Sequence, residues 1–301
     1  MKNLKKLLCL AMVLTMVLAL AACGGSPAPA ATEAPATEAP AAEPADAPEA
    51  DAPADLGLVT PGVLTVATSP DFAPYEFYAI GEDGAATLAG FEMDLAKYIA
   101  DYLGLELNVI PMDFDGIAIE LQNKSVDLGM AGLSPKPERA QVMDFSEIFY
   151  TGGQSFVCLK GNEDKFPDLE STNKAEYSIG AQSGSIQYDL AVENSPEANI
   201  IVLPKVTDII ADLLAGNLDG AYIETDVALQ YAKNYPDMAV ILSVPYEAEG
   251  SVIGVSKGNE ALLKAVNEAI AECLNSGKME EFVAKASDDS SGEIFEGLLE
   301  G

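Results

Sequence analysis

A single arginine is the residue of this chain best suited to bind a carboxylate. Arg139 is the only arginine among 16 basic residues, and the other 15 are lysines. A guanidinium donates two parallel hydrogen bonds to one carboxylate, which the ammonium group of lysine cannot do. The residue type therefore indicates a site for a carboxylate group, and the alternative is a surface arginine at the start of a helix.

The charge of the chain argues against several classes of function. Its 301 residues include 48 Asp and Glu, 16 Lys and Arg, and no His, which gives a formal net charge of −32. Such a surface is repelled by nucleic-acid phosphates and anionic membranes. Without His there is no Ser-His-Asp or Cys-His catalysis and no imidazole metal site. We therefore expect no nucleic-acid partner, no metal, no cofactor, and a site that binds without proton transfer.

Residues 1–22 predict a secretory signal peptide. Three lysines near the start precede an apolar run at 7–20 that is too short to cross a membrane comfortably. The run ends in LAAC at 20–23, which resembles the bacterial lipobox and implies cleavage before Cys23 and a lipid on its thiol. An ordinary secretory signal with an incidental cysteine is the alternative. The lipid and its tether would be the only membrane attachment.

Residues 23–55 predict a disordered tether. Between 26 and 55 the sequence contains only Ala, Pro, Asp, Glu, Thr and Ser. Such a segment has no large apolar residue to bury, and its prolines interrupt helices. Its length suits a spacer that holds a domain away from a membrane; sequence drift without a length requirement is the alternative.

Two cysteines lie beyond the tether, Cys158 and Cys273. We favour buried free thiols for both, with a disulfide between them as the alternative, because spacing alone does not give their distance.

From residue 56 onward, strand-like and helix-like runs alternate. The predicted strands lie at 63–67, 105–110, 126–130, 178–181, 200–203 and 221–223, and the predicted helices at 92–103, after 115, at 137–142, 185–192, 208–214 and after 223. The alternation favours α/β layers with mostly parallel sheets, whose ligand sites collect at the carboxyl ends of the strands.

Two further β-rich runs interrupt this alternation. They cover 155–159 and 251–255, about 96 residues apart, and they suggest paired crossovers around an inserted second lobe. We predict a first lobe of residues 56–152 plus 251–301 and a second lobe of residues 153–250.

Four short motifs follow one another in the first half of this region. They read DFAPYEF at 71–77, GFEMDLA at 90–96, DFDG at 113–116 and SPKPER at 134–139. Together they resemble the signatures of bacterial extracellular solute-binding proteins of family 3, the substrate-binding subunits of ABC importers for polar amino acids. The resemblance runs from about 64 to 282. It implies a periplasmic-binding-protein-like fold of type II, in which two α/β lobes joined by two hinge strands close on an amino acid.

The resemblance also implies how the backbone groups of the amino acid are held. Arg139 occupies the position of the family's carboxylate-binding arginine, and Ser134 that of a loop serine on the same carboxylate. Gly132 matches a position whose carbonyl accepts from the ammonium group. Glu224 matches an Asp that pairs with the ammonium; because Glu is one methylene longer, Asp226 or a solvated helix start is the alternative.

A loop of the predicted second lobe supplies further contacts by the same resemblance. Ser185 is placed as a carboxylate donor at a helix N-terminus, and Ile186 as a donor through its backbone N–H alone. Gln187 is a further candidate for a ligand contact, and a glutamine that faces the loop instead is the alternative.

Two aromatic residues are placed at the ligand's side chain. Phe72 and Phe114 match positions whose rings sandwich that side chain, with core packing as the alternative. Ser69 stands where several relatives have an Asp that reads a polar side-chain end. This departure leaves the identity of the ligand open. Ala131-Gly132, in place of two small hydroxyl residues, resembles the arginine-binding branch of the family.

The sequence therefore predicts a lipid-anchored, monomeric receptor that captures an amino acid, possibly a basic one, and delivers it to a membrane permease. One alternative is an exported enzyme resembling the family's dehydratase, with Glu224 or Glu76 as general acid. The other is a sensory or adhesive lipoprotein that binds without transport.

Overall fold

The computed structural model describes residues 55–81, 84–247 and 250–290. The predicted signal peptide, Cys23 and the predicted tether up to residue 54 lie outside the described residues. So do 82–83 and 291–301 of the predicted first lobe and 248–249 of the predicted second lobe. Within the described ranges, no helix is both long enough and apolar enough to cross a membrane.

Strands and helices alternate through most of the described chain, as predicted. The strands are β1 (Val63–Thr68), β2 (Asp71–Phe72), β3 (Glu76–Ile80), β4 (Ala86–Ala89), β5 (Glu106–Pro111), β6 (Leu128–Gly129), β7 (Met143–Phe145), β8 (Gln154–Leu159), β9 (Ser178–Gln182), β10 (Asn199–Leu203), β11 (Gly220–Glu224), β12 (Met238–Ser243) and β13 (Gly254–Ser256). The helices are α1 (Phe91–Tyr102), α2 (Phe114–Gln122), α3 (Ile186–Asn194), α4 (Val206–Leu214), α5 (Thr225–Asn234), α6 (Glu260–Asn275) and α7 (Lys278–Asp289).

One predicted helix is much shorter than expected. The segment 137–142 forms a single 3-10 turn at Arg139–Gln141. Pro135 and Pro137 have no backbone N–H, so they cannot contribute to a longer helical hydrogen-bond ladder. Arg139 therefore lies in a loop with one 3-10 turn rather than in a longer helix.

Two five-stranded sheets organise the fold. The first has the order β5-β1-β6-β13-β7, and the second has the order β10-β9-β11-β8-β12. In the first sheet β1 is parallel to β5 and β6, and in the second β9 is parallel to β10 and β11. The expectation of mostly parallel sheets holds only for these strands, because β13 and β8 run antiparallel to their neighbours. A separate antiparallel sheet, β2-β3-β4, was not predicted.

The chain crosses between the two sheets twice. It leaves the first sheet after Phe145 and enters the second at Gln154, then leaves the second after Ser243 and re-enters the first at Gly254. An antiparallel bridge between Tyr150 and Ser251 joins the two crossovers. The β-rich runs at 155–159 and 251–255 therefore belong to different sheets, and each follows a crossover. The predicted lobe boundaries at 152/153 and 250/251 lie in these crossovers and stay predictions.

The start of α1 is fixed by a close backbone approach. The N–H groups of Phe91 and Glu92 donate to the carbonyl oxygens of Pro74 (3.1 Å) and Tyr75 (3.0 Å). Gly90, immediately before the helix, has a φ of 123°, and a Cβ built on it would lie 2.1 Å from the carbonyl oxygen of Tyr75. Only glycine fits this turn, because both the φ angle and the space exclude a side chain. The turn sets Glu92 beside the segment that carries Glu76.

The two cysteines are free and buried, one in β8 and the other in α6. The predicted buried thiols are confirmed, and the alternative of a disulfide between Cys158 and Cys273 is wrong.

We expect Gly90→Ala to lower the free energy of unfolding by more than about 2 kcal/mol, because the new methyl group meets backbone and the φ angle is unfavourable. Gly104→Ala is the matched control: Gly104 also has a positive φ (67°), but a Cβ there meets nothing within 4 Å. The control should lose only about 1 kcal/mol from the φ angle. Urea unfolding measures both, and equal losses would contradict the close approach.

Candidate functional site

Arg139 is buried between groups from both sheets. Its Nη1 donates to the carbonyl oxygen of Ser134 (2.9 Å), and its Nη2 donates to the carbonyl oxygen of Gly184 (3.1 Å), in the loop before α3. The guanidinium carbon lies 5.1 Å from the ring centre of Phe114. Only 9% of the residue is exposed, so the alternative of a surface arginine is wrong.

No carboxylate pairs with Arg139 among the described residues, since none of the ion pairs found there includes it. Burial lowers the pKa of its guanidinium to about 10, which leaves the group cationic at neutral pH. A buried charge without a counter-charge is costly, and structures usually pair such a charge. The position is therefore prepared for an anionic group that comes from outside the chain.

Other polar groups beside Arg139 are unengaged. Within the described residues, the Ser134 hydroxyl, the Gly132 carbonyl and the Ile186 N–H make no hydrogen bond. Ile186 is the first residue of α3, where backbone N–H groups point outward and favour an anion. The Ser134 hydroxyl and the Ile186 N–H can donate to a carboxylate, and the Gly132 carbonyl can accept from a donor.

Ser185 has a different local role from the one predicted. Its hydroxyl accepts from the N–H of Tyr188 (3.1 Å) as the cap of α3 and donates to the carbonyl oxygen of Gln182 (2.8 Å). Since both functions of the hydroxyl are occupied, it holds the loop in place. Gln187 is buried and donates from Nε2 to Oε1 of Gln154 (2.8 Å), so it does not face an exposed loop.

Glu224 ends β11 and caps α5. Its Oε2 accepts from the N–H of Val227 (2.9 Å), its Oε1 accepts from the N–H of Gly153 (3.1 Å), and the hydroxyl of Tyr75 also bonds to it. Burial raises the pKa of Glu224 to about 7, and the charge of Asp226 adds to this effect.

Asp226 faces a different neighbour. It accepts a hydrogen bond from the Tyr150 hydroxyl (2.7 Å), in the first crossover, and it is less buried than Glu224. The geometry therefore favours Glu224 as the buried acid of this site.

The two aromatic residues lie in different surroundings. Phe72 is part of the largest core cluster, with its ring 5.2 Å from that of Tyr75. A Cβ on Gly132 would lie 2.7 Å from the ring of Phe72, so glycine lets the ring lie against the backbone there. Phe114 begins α2 and lies against Arg139. Each ring combines packing with a contact to a predicted site residue.

Ser69 is committed to an acid of the chain itself. Its hydroxyl donates to Oδ1 of Asp71 (2.7 Å). Asp71 also accepts from Nε2 of Gln182 (3.3 Å) and from the N–H of Val206, both on the side of the second sheet. Burial raises the pKa of Asp71 to about 6. Asp71 thus links the two halves of the fold.

Two further acids are buried in this part of the fold; sequence reasoning named Glu76 only as a possible general acid and did not single out Glu92. Glu76 and Glu92 are fully buried, and Oε1 of Glu92 accepts from the N–H of Gly132 (2.8 Å). Both oxygens of Glu76 and Oε2 of Glu92 have no hydrogen-bond partner among the described residues. Burial raises the pKa of Glu92 to about 8 and that of Glu76 well above its ordinary value, with Glu92 and Asp71 adding to the shift of Glu76. The available signal was the acid inside the motifs DFAPYEF and GFEMDLA.

The two sheets also meet through pairs of side chains around the site. Lys136 forms an ion pair with Asp189, and the hydroxyl of Ser183 donates to Oδ2 of Asp115 (3.1 Å). Together with the contacts of Arg139 and Asp71, these pairs hold the two halves against each other.

Arg139 and the groups around it therefore lie between two α/β halves of the fold. Residues 64–288 match the family model of bacterial extracellular solute-binding proteins, family 3, and the chain belongs to this family. Its fold is that of a type II periplasmic binding protein, as expected.

Individual relatives agree with this assignment. The chain is 33% identical over 227 residues to the arginine-binding extracellular protein ArtP of Bacillus subtilis, covering 74% of this chain and 85% of that protein. It superposes with a TM-score of 0.74, at 31% identity, on the amino acid ABC transporter substrate-binding protein AbpA of Streptococcus pneumoniae bound to L-arginine, covering 77% of this chain and 97% of that one. It is also 26% identical to cyclohexadienyl dehydratase of Pseudomonas aeruginosa over 184 residues, 61% of this chain and 67% of that enzyme.

We expect the ligand-free chain to lose stability as the pH rises from 5 to 8. Glu92 has a pKa of about 8 in the fold against an ordinary value of 4.5, so the native state binds more protons than the unfolded state in that window. Stability present at pH 5 is then lost as the pH approaches 8. Glu92→Gln should reduce this loss by roughly 3 kcal/mol. Urea unfolding at the two pH values measures it.

Glu268→Gln, on the exposed side of α6, is the control and should behave like the wild type. An identical pH dependence in all three proteins would mean that Glu92 is not protonated in the fold.

Proposed function

We propose that this chain captures a free polar L-amino acid between its two lobes and delivers it to the membrane permease of an ABC importer. The observation that carries the proposal is Arg139, a buried guanidinium with no carboxylate partner in the described chain. A free amino acid supplies that carboxylate together with an ammonium group on the same carbon. Two of the relatives named above support the substrate class, since ArtP is an arginine-binding protein and AbpA is bound to L-arginine.

The α-carboxylate is received at Arg139. The guanidinium has five N–H donors, and the two hydrogen bonds to Ser134 and Gly184 leave others for the ligand. The Ser134 hydroxyl and the Ile186 N–H add donors from the first and second lobes. Charge-assisted bonds of this kind are about twice as strong as neutral ones, so this contact dominates the recognition of the ligand backbone.

The α-ammonium is received at Glu224 and at the carbonyl of Gly132. Glu224 is held by the N–H groups of Gly153 and Val227, which orient its carboxylate. Its pKa of about 7 means that an ammonium group nearby favours the ionised form. The ligand thus supplies the counter-charges that Arg139 and Glu224 lack.

Binding favours the closed arrangement because the donors come from both lobes. Ser134 and Arg139 lie on the first-sheet side, and Ile186 and Glu224 lie on the second-sheet side. A ligand stabilises closure only through contacts that the open arrangement does not offer. Closure around the amino acid provides the form that a permease distinguishes from the empty receptor.

Attachment to the membrane follows from the first 55 residues. A lipid on Cys23 anchors the mature chain, and the Ala/Pro/acidic tether gives the binding domain reach toward the permease. The receptor works as a monomer and carries out no chemistry on the ligand.

Arg139→Lys should weaken amino acid binding by about tenfold to hundredfold, because an ammonium group cannot replace two parallel hydrogen bonds to the carboxylate. Calorimetric titration of the wild type with the twenty amino acids identifies the ligand, and titration of the variant measures the loss. Lys264→Arg, an exposed swap on α6, is the matched control and should bind like the wild type. Unchanged affinity in Arg139→Lys would remove Arg139 from the site.

A dehydratase is the second candidate function. It is favoured by the similarity to cyclohexadienyl dehydratase and by Glu76, a buried acid whose raised pKa suits a general acid. Incubation with prephenate, followed by product absorbance, tests it. We expect no turnover above buffer; turnover that disappears in Glu76→Gln would establish the enzyme instead.

A further inference from the structure

We propose that an apolar groove between the first crossover and helices α6 and α7 is the docking site for the chain's own C-terminal segment, residues 291–301. These residues lie outside the described residues, so the argument rests on the groove, on the point where α7 ends and on the sequence. The groove has no part in the proposed function, so the inference stands or fails separately from it.

The groove, called the crossover groove below, has a volume of about 460 Å³. Two large apolar residues that line it remain exposed, Ile148 at 48% and Leu274 at 38%. Single exposed apolar residues are ordinary on a protein surface, but a contiguous apolar wall is typical of an interaction site. The apolar wall consists of Ile148, Phe149, Leu274, Met279, Val283 and Ala284.

The end of α7 is held in a fixed place. Ser290, which directly follows the helix, is fully buried, and its carbonyl oxygen accepts from Nε2 of Gln230 (2.6 Å) and from Nδ2 of Asn234 (3.0 Å), both in α5. Chain ends are usually poorly ordered unless specific contacts hold them. The C-terminal segment therefore begins at a defined point beside the groove-lining helix.

The segment is long enough to return to the groove. From Val283, which lines the groove, to Ser290 the axis of α7 advances by roughly 10 Å. Residues 291–301 span up to about 36 Å when extended. Gly292 permits a reversal of direction directly after Ser290, because glycine adopts positive φ angles without strain. A reversed segment therefore reaches along the whole groove.

The composition of the segment suits an apolar surface. Residues 294–299 read IFEGLL and supply four large apolar side chains, whereas the predicted tether at 26–55 has none. The segment also carries three acids and no base, and among the described residues that line the groove Glu280 alone is charged. Ion pairs with the lining residues therefore cannot hold the segment, and burial of its apolar side chains is the attraction that the docking requires.

A docked segment covers the first crossover. The N–H of Phe149 donates to the carbonyl oxygen of Ser251 (3.1 Å), and the N–H of Ser251 donates to that of Tyr150 (2.7 Å), so these bonds tie the two crossovers together. Phe149 and Tyr150 both line the groove. Exclusion of water from this wall slows the opening of these hydrogen bonds, which amide exchange measures.

The direct test replaces Phe295 in the full-length chain by a photoreactive benzophenone analogue of phenylalanine. After irradiation and proteolysis, mass spectrometry identifies the residues that the analogue reaches. We expect crosslinks within one chain to Ile148, Met279 or Val283. The control carries the same analogue at Val202, an exposed position on β10 of the second sheet, and should give no crosslink to the groove.

Two outcomes of the crosslinking would overturn the proposal. Crosslinks between two chains would assign the groove to a second copy of the protein. Crosslinks that reach only other surfaces, or none at all, would leave the segment without a place in the groove.

Amide exchange provides a second measurement. Deletion of 291–301 and Phe295→Ser should each speed the exchange of a peptide that covers 148–151 by about threefold or more, because the crossover loses its cover. Exchange in β12 (Met238–Ser243) should stay the same. Glu296→Gln is the matched control, since it changes the segment without removing an apolar side chain, and it should behave like the wild type.

Unchanged exchange at 148–151 after the deletion would also overturn the proposal. Neither experiment needs a bound amino acid, so a negative result leaves the receptor function untouched. Conversely, failure of all twenty amino acids to bind would leave the docking of the segment untouched.

Discussion

Charge removed from water without a counter-charge is the constraint on which this structure depends. Arg139 lies between the two halves of the fold with only carbonyl oxygens as hydrogen-bond partners, and Glu76 and Glu92 are buried with oxygens that have no hydrogen-bond partner in the described chain. Burial of this kind costs free energy that a purely structural site would avoid by pairing the two signs. Arg139 has no carboxylate partner in the described chain. Under the proposed function, the carboxylate of the ligand supplies its counter-charge.

The groups of the candidate site are carried by two different sheets of the fold. β1, the 3-10 turn at Arg139–Gln141 and α1 belong to the first sheet and its surroundings, whereas α3 and β11 belong to the second. The chain crosses between the sheets twice, and the largest core cluster includes buried residues from both sides, such as Val66 and Ile223. Asp71 bridges the halves through hydrogen bonds from Gln182 and Val206, and Arg139 bridges them through one hydrogen bond to Gly184. Under the proposed function, this division makes the site complete only when the two lobes close on the ligand.

The buried acids provide groups that titrate near neutral pH in a chain that has no histidine. The composition indicated a site that binds without proton transfer, since no side chain ordinarily titrates near neutral pH. Burial moves Glu92 and Glu224 into that range, to pKa values of about 8 and about 7. Under the proposed function, ligand capture is therefore linked to proton release even though the receptor performs no chemistry. The acidity that first excluded nucleic acids thus becomes part of ligand recognition.

The sequence by itself determined the α/β alternation, the family, and the importance of its one arginine, because periodicity, motif order and residue type are local properties. It also led to the buried thiols at Cys158 and Cys273. It did not reveal that the hydroxyls of Ser185 and Ser69 are engaged by the chain, or that the helix expected at Arg139 is a single turn. Nor did it bring Glu76 and Glu92 together, since residues 16 positions apart meet only through the Gly90 turn and the β2-β3 pair. Tertiary structure decided those points because burial and hydrogen-bond partners depend on which distant segments exclude water from one another.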